Sequence, residues 1–191
     1  VIHAPGIEFG GMFLVEIGRG CSFGCRFCAA GWVYRPVRMR SLDTIEKSIQ
    51  SALEGEKKIG LIGAAIGDHP QLKDICARLR AAGRKLSVSS LRANVITRDL
   101  LRALKESGHQ SITIAPETGS ERLRRLIKKN ITDEEIFEAA EMMVDSGIPN
   151  LRLYFLVGLP SETMEDIEQI VSLTKQIKHT IIKNIKKKSL P

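Results

Sequence analysis

Short β-branched runs alternate with amphipathic helical stretches along this chain, and glycines punctuate the changes. Strands are predicted over 13–17, 58–66, 86–91, 111–115 and 151–157, and helices over 42–53, 71–82, 98–107, 121–129, 133–146 and 164–178. Gly55, Gly83, Gly108 and Gly147 each stand just past a helix, where a residue free to turn left-handed closes the last turn. Thr132 with Glu135 reads as a capping box, and Thr97, Ser120 and Thr163 are placed to accept bonds from first-turn amides. In 71–82, Leu72, Ile75, Cys76 and Leu79 share one face, which makes Cys76 a small buried hydrophobe rather than a ligand.

Strand–helix alternation with short connections implies parallel strands joined by right-handed crossovers. An open doubly wound sheet and a β/α barrel both answer to that, and both gather sites at the carboxyl ends of their strands. A dinucleotide-binding sheet wants Gly-x-Gly-x-x-Gly between its first strand and helix. Here the turn runs Gly18-Arg19-Gly20-Cys21-Ser22-Phe23-Gly24, with different spacing and cysteines in place of the phosphate cradle. The expectation is therefore an α/β fold, a partial (β/α) barrel of five to six parallel strands with outer helices, the sixth strand near 184–190. A closed eight-fold barrel typically needs about 250 residues, and this chain has 191. The expected organisation is one domain, with a lead-in over 1–12, a core over 13–182 and a basic tail or first part of a sixth strand over 183–191.

With 43% hydrophobic and 27% charged residues, the chain has the balance of a globular protein rather than a disordered one. No run approaches the ~20 apolar residues that span a bilayer, and Val1-Ile2-His3-Ala4-Pro5 lacks the basic-then-apolar order of a signal peptide. Four cysteines clustered three to one fit a reducing cytoplasm and metal rather than disulfides. Much of the net charge of +7 lies in Arg122, Arg124, Arg125, Lys128 and Lys129 and in the tail 183–188. A solvated helix face with a frayed terminus is one reading, and a phosphate-binding surface for nucleic acid the sharper one. Aromatic residues for base stacking are not interleaved with these charges, which weighs against the second.

Chemistry concentrates in Cys21, Cys25 and Cys28, spaced Cys-x3-Cys-x2-Cys with no fourth cysteine nearby. Three thiolates in one short loop suit an iron–sulfur cluster or zinc, and a set of three leaves one metal position open. A zinc site completed by a distant histidine is the rival, with His69 the candidate because it too lies just past a strand. Asp68 and His69 are equally placed to cap the following helix, with Pro70 in its first turn.

The Cys-x3-Cys-x-aromatic-Cys pattern, with Phe27 as the aromatic, resembles the signature of the radical S-adenosylmethionine (radical SAM) superfamily. The resemblance covers nearly the whole chain. The run Arg152-Leu-Tyr-Phe-Leu-Val-Gly158-Leu-Pro160-Ser161-Glu-Thr163 is similar to the fifth-strand motif of the methylthiotransferase and cobalamin-associated branch, which usually has Gly where this chain has Ser161. Glu117-Thr-Gly-Ser-Glu-Arg-Leu123 resembles the segment after the fourth strand. Residues 62–68 occupy the place of the family's Gly-Gly-Glu segment without its glutamate.

The resemblance implies an enzyme core holding a 4Fe-4S cluster on Cys21, Cys25 and Cys28 and S-adenosylmethionine at the open iron, cleaved reductively to a 5′-deoxyadenosyl radical. It also implies an electron donor such as a flavodoxin or ferredoxin, and flanking domains beyond this segment. In that reading Phe27 shields the cluster near the adenine, and Glu117 meets the ribose hydroxyls or methionine ammonium. Arg152 reaches the methionine carboxylate, Gly158 and Pro160 shape the adenine-side turn, and Asp68 joins the cofactor site. A metal-stabilised RNA-binding module and a fragment of a tRNA-modifying methylthiotransferase are the alternatives.

Overall fold

The computed structural model describes residues 11–52 and 58–188, with side chains to residue 185. Strand β1 (Phe13–Glu16) leads into a short β2 (Gly18–Arg19), then α1 (Ala30–Val33), β3 (Arg38–Met39) and α2 (Leu42–Gln50). There follow β4 (Lys58–Ile62), α3 (Leu72–Ala81), β5 (Lys85–Ser87), α4 (Arg98–Glu106) and β6 (Ser111–Glu117). The chain continues through α5 (Glu121–Leu126), α6 (Asp133–Asp145), β7 (Asn150–Phe155) and α7 (Met164–Lys188).

Strands β1, β4 and β5 pair in parallel in that order, as do β6 and β7. A single parallel bridge from Leu91, just past β5, to Ile114 of β6 joins the two sheets, with the Leu91 amide donating to the Thr113 carbonyl at 2.9 Å. Spatial order therefore follows chain order across all five, with no reversal of the kind that creates the ligand crevice of a doubly wound sheet.

Alternation along the strands sorts two faces. Phe13, Val15, Ile59, Leu61, Leu86, Ile112 and Ile114 are buried in one core. Helices cover that side through Ile45 and Ile49 of α2, Ile75 and Leu79 of α3, Leu101 and Leu104 of α4, Ile136 and Met143 of α6, and Leu173 and Ile177 of α7. On the opposite face Leu14, Ile62 and Tyr154 are exposed. Parallel sheets ordinarily have both faces covered, whereas among the described residues this face is open.

The predicted punctuation is present. Gly83, Gly108 and Gly147 take positive φ, Thr132 and Glu135 close a capping box, and Ser120 and Thr97 accept bonds from Leu123 and Leu100 amides. Gly55 and most of the lead-in, 1–10, lie outside the described residues. Cys76 is buried in the α3 face, and burial pushes its thiol up to about 11. One expectation fails: the region assigned to a sixth strand is helical as far as Lys188, because Ile181 continues the apolar stripe of α7 onto the core. Residues 189–191 lie outside the described residues.

Candidate metal and cofactor site

The cysteine loop leaves the carboxyl end of β1 and is closed at its base by antiparallel pairing of Gly18 with Met39 and Arg19 with Arg38. Inside it, the chain passes so close to itself that a Cβ on Gly20 would collide with the Tyr34 carbonyl, and one on Gly31 with that of Phe23. Gly20 also has φ +85°, a region that favours glycine. The loop rests on the turn that ends α5. The Arg26 amide donates to Ile127 O at 2.9 Å, its guanidinium to Leu126 O at 2.8 Å, and the Cys25 thiol to Lys128 O at 3.5 Å. Trp32 Nε1 donates to the Cys25 carbonyl at 3.2 Å, while its ring stays half exposed.

Cys25 is buried, and Cys21 and Cys28 are partly open. Burial pushes the Cys21 thiol up, a backbone hydrogen bond from Phe23 works against this, and the fields of Cys25, Asp68 and Cys28 add to the rise. The three sulfurs and the Asp68 carboxylate thus share one electrostatic neighbourhood. They do not converge to ligand distance: among the described residues no three His, Cys, Asp or Glu side chains are gathered as around an ion. The Cys25 sulfur instead faces the Lys128 carbonyl.

Asp68 has one carboxylate oxygen, Oδ2, buried without a hydrogen-bond partner. Burial pushes its carboxyl up against the pull of Arg92. An unpaired buried acceptor is costly unless something cationic or donating meets it. That orphaned oxygen, within the field of the thiols, is what a loop built for a cationic ligand would leave. His69, by contrast, is fully engaged. Its Nδ1 accepts the Gln71 amide at 3.1 Å, so Nε2 carries the proton and donates to Arg40 O at 3.0 Å. Both ring nitrogens of His69 are thus turned to backbone rather than to the cysteine loop, and it is His69 rather than Asp68 that serves the start of α3.

Sequence reasoning missed Arg92 and Lys129. Arg92 follows the third predicted strand, lies 3.7 Å over the Phe23 ring, bonds to Lys129 O and brings a guanidinium nitrogen within 3.9 Å of Cys25 Sγ. Its position at a strand end was the available signal. Lys129 donates to Glu117 Oε1 at 2.7 Å, both side chains nearly buried. Glu117 ends β6 at φ 73°, and its carbonyl accepts the amide of Leu156, just past β7.

The basic segment 122–129 is divided: Arg122, Arg125 and Lys128 are exposed, as a solvated helix face requires, while Arg124 and Lys129 are buried. Arg124 is wholly buried, its guanidinium donating to the carbonyls of Ile131, Thr118 and Gly119 and pairing with Asp133. Arg125 pairs with Glu121, and Arg122 with buried Asp166.

At the β7 end, Gly158 has φ +91° and donates to Glu162 Oε2, and Pro160 follows in the same turn. Ser161 adopts φ 64°, the left-handed shape glycine takes most readily. Phe27 is 39% exposed. Arg152 sits opposite Thr113 in the β6–β7 ladder and lines a cavity that none of the three cysteines reaches. The structure does not bring it to the cysteine loop.

The sequence model of the Radical SAM superfamily matches residues 15–174. The chain is 43% identical over 187 residues to an uncharacterised protein of Methanocaldococcus jannaschii, covering 95% of this chain and 41% of that protein. It is 25% identical over 177 residues to the ribosomal protein uS12 methylthiotransferase RimO of Thermotoga maritima, covering 85% and 41%. Among solved structures, it superposes on the radical S-adenosylmethionine methyltransferase TsrM of Kitasatospora setae with TM-score 0.71 at 16% identity, over 88% of this chain and 34% of that one. Coproporphyrinogen III oxidase HemN of Escherichia coli gives TM-score 0.61 at 18% identity, over 87% and 41%. These structural likenesses establish the fold, and the chain spans about two fifths of the length of the curated relatives it matches.

Proposed function

The chain belongs to the radical SAM superfamily, and on that premise we propose that it is the enzyme core that holds a 4Fe-4S cluster on Cys21, Cys25 and Cys28 and binds S-adenosylmethionine beside it. With both bound, the pair supplies a one-electron reductive cleavage yielding a 5′-deoxyadenosyl radical that takes hydrogen from a substrate. The five strands in chain order then form the wall of a partial barrel, with the open face as its interior.

Each local feature has a task in this reading. Cys25 exchanges the Lys128 carbonyl for iron, while partly open Cys21 and Cys28 leave one side of the loop accessible. Asp68 offers its unpaired oxygen to the ammonium of the methionine part. Glu117 and Lys129, nearly buried and bonded to each other, brace the end of β6 beside the loop. Gly158 and Pro160 hold the turn past β7 for the adenine side, and exposed Phe27 folds over the bound cluster. A flavodoxin or ferredoxin supplies the electron. The observation that carries the proposal is the three-cysteine loop at the end of β1, pinned to the α5 turn beside an orphaned carboxylate oxygen. For the RNA-binding alternative, Arg124 and Lys129 are buried and paired, which leaves Arg122, Arg125 and Lys128 as the exposed cations of that segment. A methylthiotransferase role rests on relatives that are 23–25% identical, among them ribosomal protein and tRNA methylthiotransferases.

Anaerobic reconstitution with iron and sulfide, followed by paramagnetic resonance of the reduced protein and a cleavage assay with S-adenosylmethionine, tests the proposal. A cluster signal altered by S-adenosylmethionine and lost in Cys25→Ala is expected. No cluster in the wild type, or an equal one in Cys25→Ala, overturns it.

A further inference from the structure

The open face of the sheet carries two adjoining cavities of opposite character. One, about 220 Å³, is lined by Leu14, Ile62, Gly63 and Val88. The other, about 500 Å³, is lined by Lys58, Ser87, Ser111, Thr113, Arg152 and Tyr154 among others, with no acidic side chain among them. Met12, Ser87, Val88 and Ser89 border both, so the two form one continuous cleft.

Two of these residues are cationic. Among the described residues, the side chains of Lys58 and Arg152 make no hydrogen bond or ion pair, their backbones alone pairing in the β4–β5 and β6–β7 ladders. Almost every other arginine on this chain is matched: Arg19 and Arg40 to Glu16, Arg78 to Glu46, Arg98 to Asp145, Arg122 to Asp166. Arg152 thus departs from the pattern of the other arginines, inside a cavity walled by hydroxyl groups, and Lys58 lines the same cavity. Arginine, with two parallel N–H donors, is the side chain suited to a carboxylate or phosphate, and lysine adds a point charge. Hydroxyls supply further donors without bringing negative charge.

The apolar half lies toward the cysteine loop. Ile62 accepts the Ile17 amide at 2.9 Å, and Gly63 lies against Gly18, two residues before the turn at Gly20. The polar half extends toward the amino ends of the strands, where Lys58 opens β4 and Ser111 opens β6.

We infer that this cleft binds a small molecule with an anionic group, a carboxylate or phosphate, attached to an apolar body. Arg152 and Lys58 hold the anion, and the body lies over Leu14, Ile62 and Val88 with its far end toward the cysteine loop. Resting on the proposed function, this makes the ligand the substrate, gripped by its charge while its hydrocarbon portion faces the reacting end. Gly60 fits the same purpose, because any side chain there would press on Leu14 and Met12 in the floor of the cleft.

Calorimetric titration of the full chain, prepared without iron, sulfide or S-adenosylmethionine, tests the inference independently of the cluster chemistry. The probes are octanoate and octyl phosphate, with octanol and acetate as the halves of the ligand taken separately. The two anionic probes should bind at least tenfold more tightly than octanol or acetate, and their relative affinities distinguish carboxylate from phosphate recognition. Arg152→Gln and Lys58→Gln should each weaken the anionic probes about tenfold, as loss of a charge-assisted bond does, with Arg152→Lys recovering part. Octanol binding as tightly as octanoate, or unchanged binding in both glutamine variants, overturns the inference. Should Arg152→Gln lose its helical circular dichroism, Lys58→Gln decides alone. Failure of cluster assembly would leave these affinities standing, so the two readings fail separately.

Discussion

Arg92 and Cys25 meet at 3.9 Å, guanidinium nitrogen to sulfur, although 67 residues separate them in the chain. The same guanidinium lies on Phe23 and bonds to Lys129 O, so one side chain from the end of the third parallel strand ties the cysteine loop to the α5 turn. A cation donating to a cluster sulfur stabilises the more negative, reduced state. Arg92→Gln should therefore lower the reduction potential of the reconstituted cluster by roughly 50 mV, the equivalent of one hydrogen bond for a one-electron couple. Arg92→Lys should restore most of it. A redox titration followed by paramagnetic resonance reads the shift, and a purely packing role for Arg92 would leave the potential where it was.

Gly119 is wedged between buried Thr118 and Ser120, and a Cβ there would overlap the backbone of Gln169 and Ile170 in α7. Backbone cannot yield as a side-chain tip does. Gly119→Ala should therefore cost about 3 kcal/mol or prevent folding, the upper end of overpacking penalties. Urea denaturation checks this, with Gly83→Ala as a comparison where space is open and only the positive φ is at stake.

How much of this was legible beforehand depends on the range of the interaction. Strands and helices follow from local periodicity, and Gly83, Gly108, Gly147 and the Thr132–Glu135 box mark boundaries by contacts within a few residues. The cysteine loop is likewise local and was read from spacing alone. What could not be read is where long side chains end up. Arg124 looks like its neighbours Arg122 and Arg125, yet the carbonyls of Thr118, Gly119 and Ile131 enclose it completely. Lys129 reaches Glu117 across a turn, and Arg92 reaches Cys25 across the sheet. Helix α7 runs through the sixth strand expected near 184–190 although Thr180, Ile181 and Ile182, on the way to it, are β-branched. That carries only a few tenths of a kcal/mol per residue against helix, less than Ile181 gains by packing on the core.

Asp166 fastens the start of α7 to the segment after β6. Burial alone would raise its carboxyl, but hydrogen bonds from Ser120, Thr163 and Arg122 outweigh that and hold it well below the usual carboxylate range. A depressed folded-state value contributes stability that is complete above the unfolded value of about 4 and is lost as pH falls below it. Wild-type melting temperature should accordingly drop on acidification from about pH 5 downward. Asp166→Asn should be less stable by about 2 kcal/mol at neutral pH, with a flatter profile in acid. Parallel melting curves across the acid range check it; equal slopes for the two proteins would contradict the assignment.

Ser161 stands where the related motif usually has glycine, and its φ of 64° explains the preference. A residue with a Cβ pays about 1–2 kcal/mol to sit in that region, whereas glycine enters it freely but loses up to about 1 kcal/mol more conformational entropy on folding. Serine gains little in return, since the bond it accepts from Arg122 runs through the carbonyl, which glycine keeps. Ser161→Gly should thus raise stability by roughly 0.5 kcal/mol, the difference of those two effects. Ser161→Val, β-branched at the same φ, should lower it by more than that gain. Thermal unfolding of both variants beside the wild type reads the order directly: glycine, then serine, then valine. An inverted order would mean that the hydroxyl, not the backbone, keeps serine at this turn.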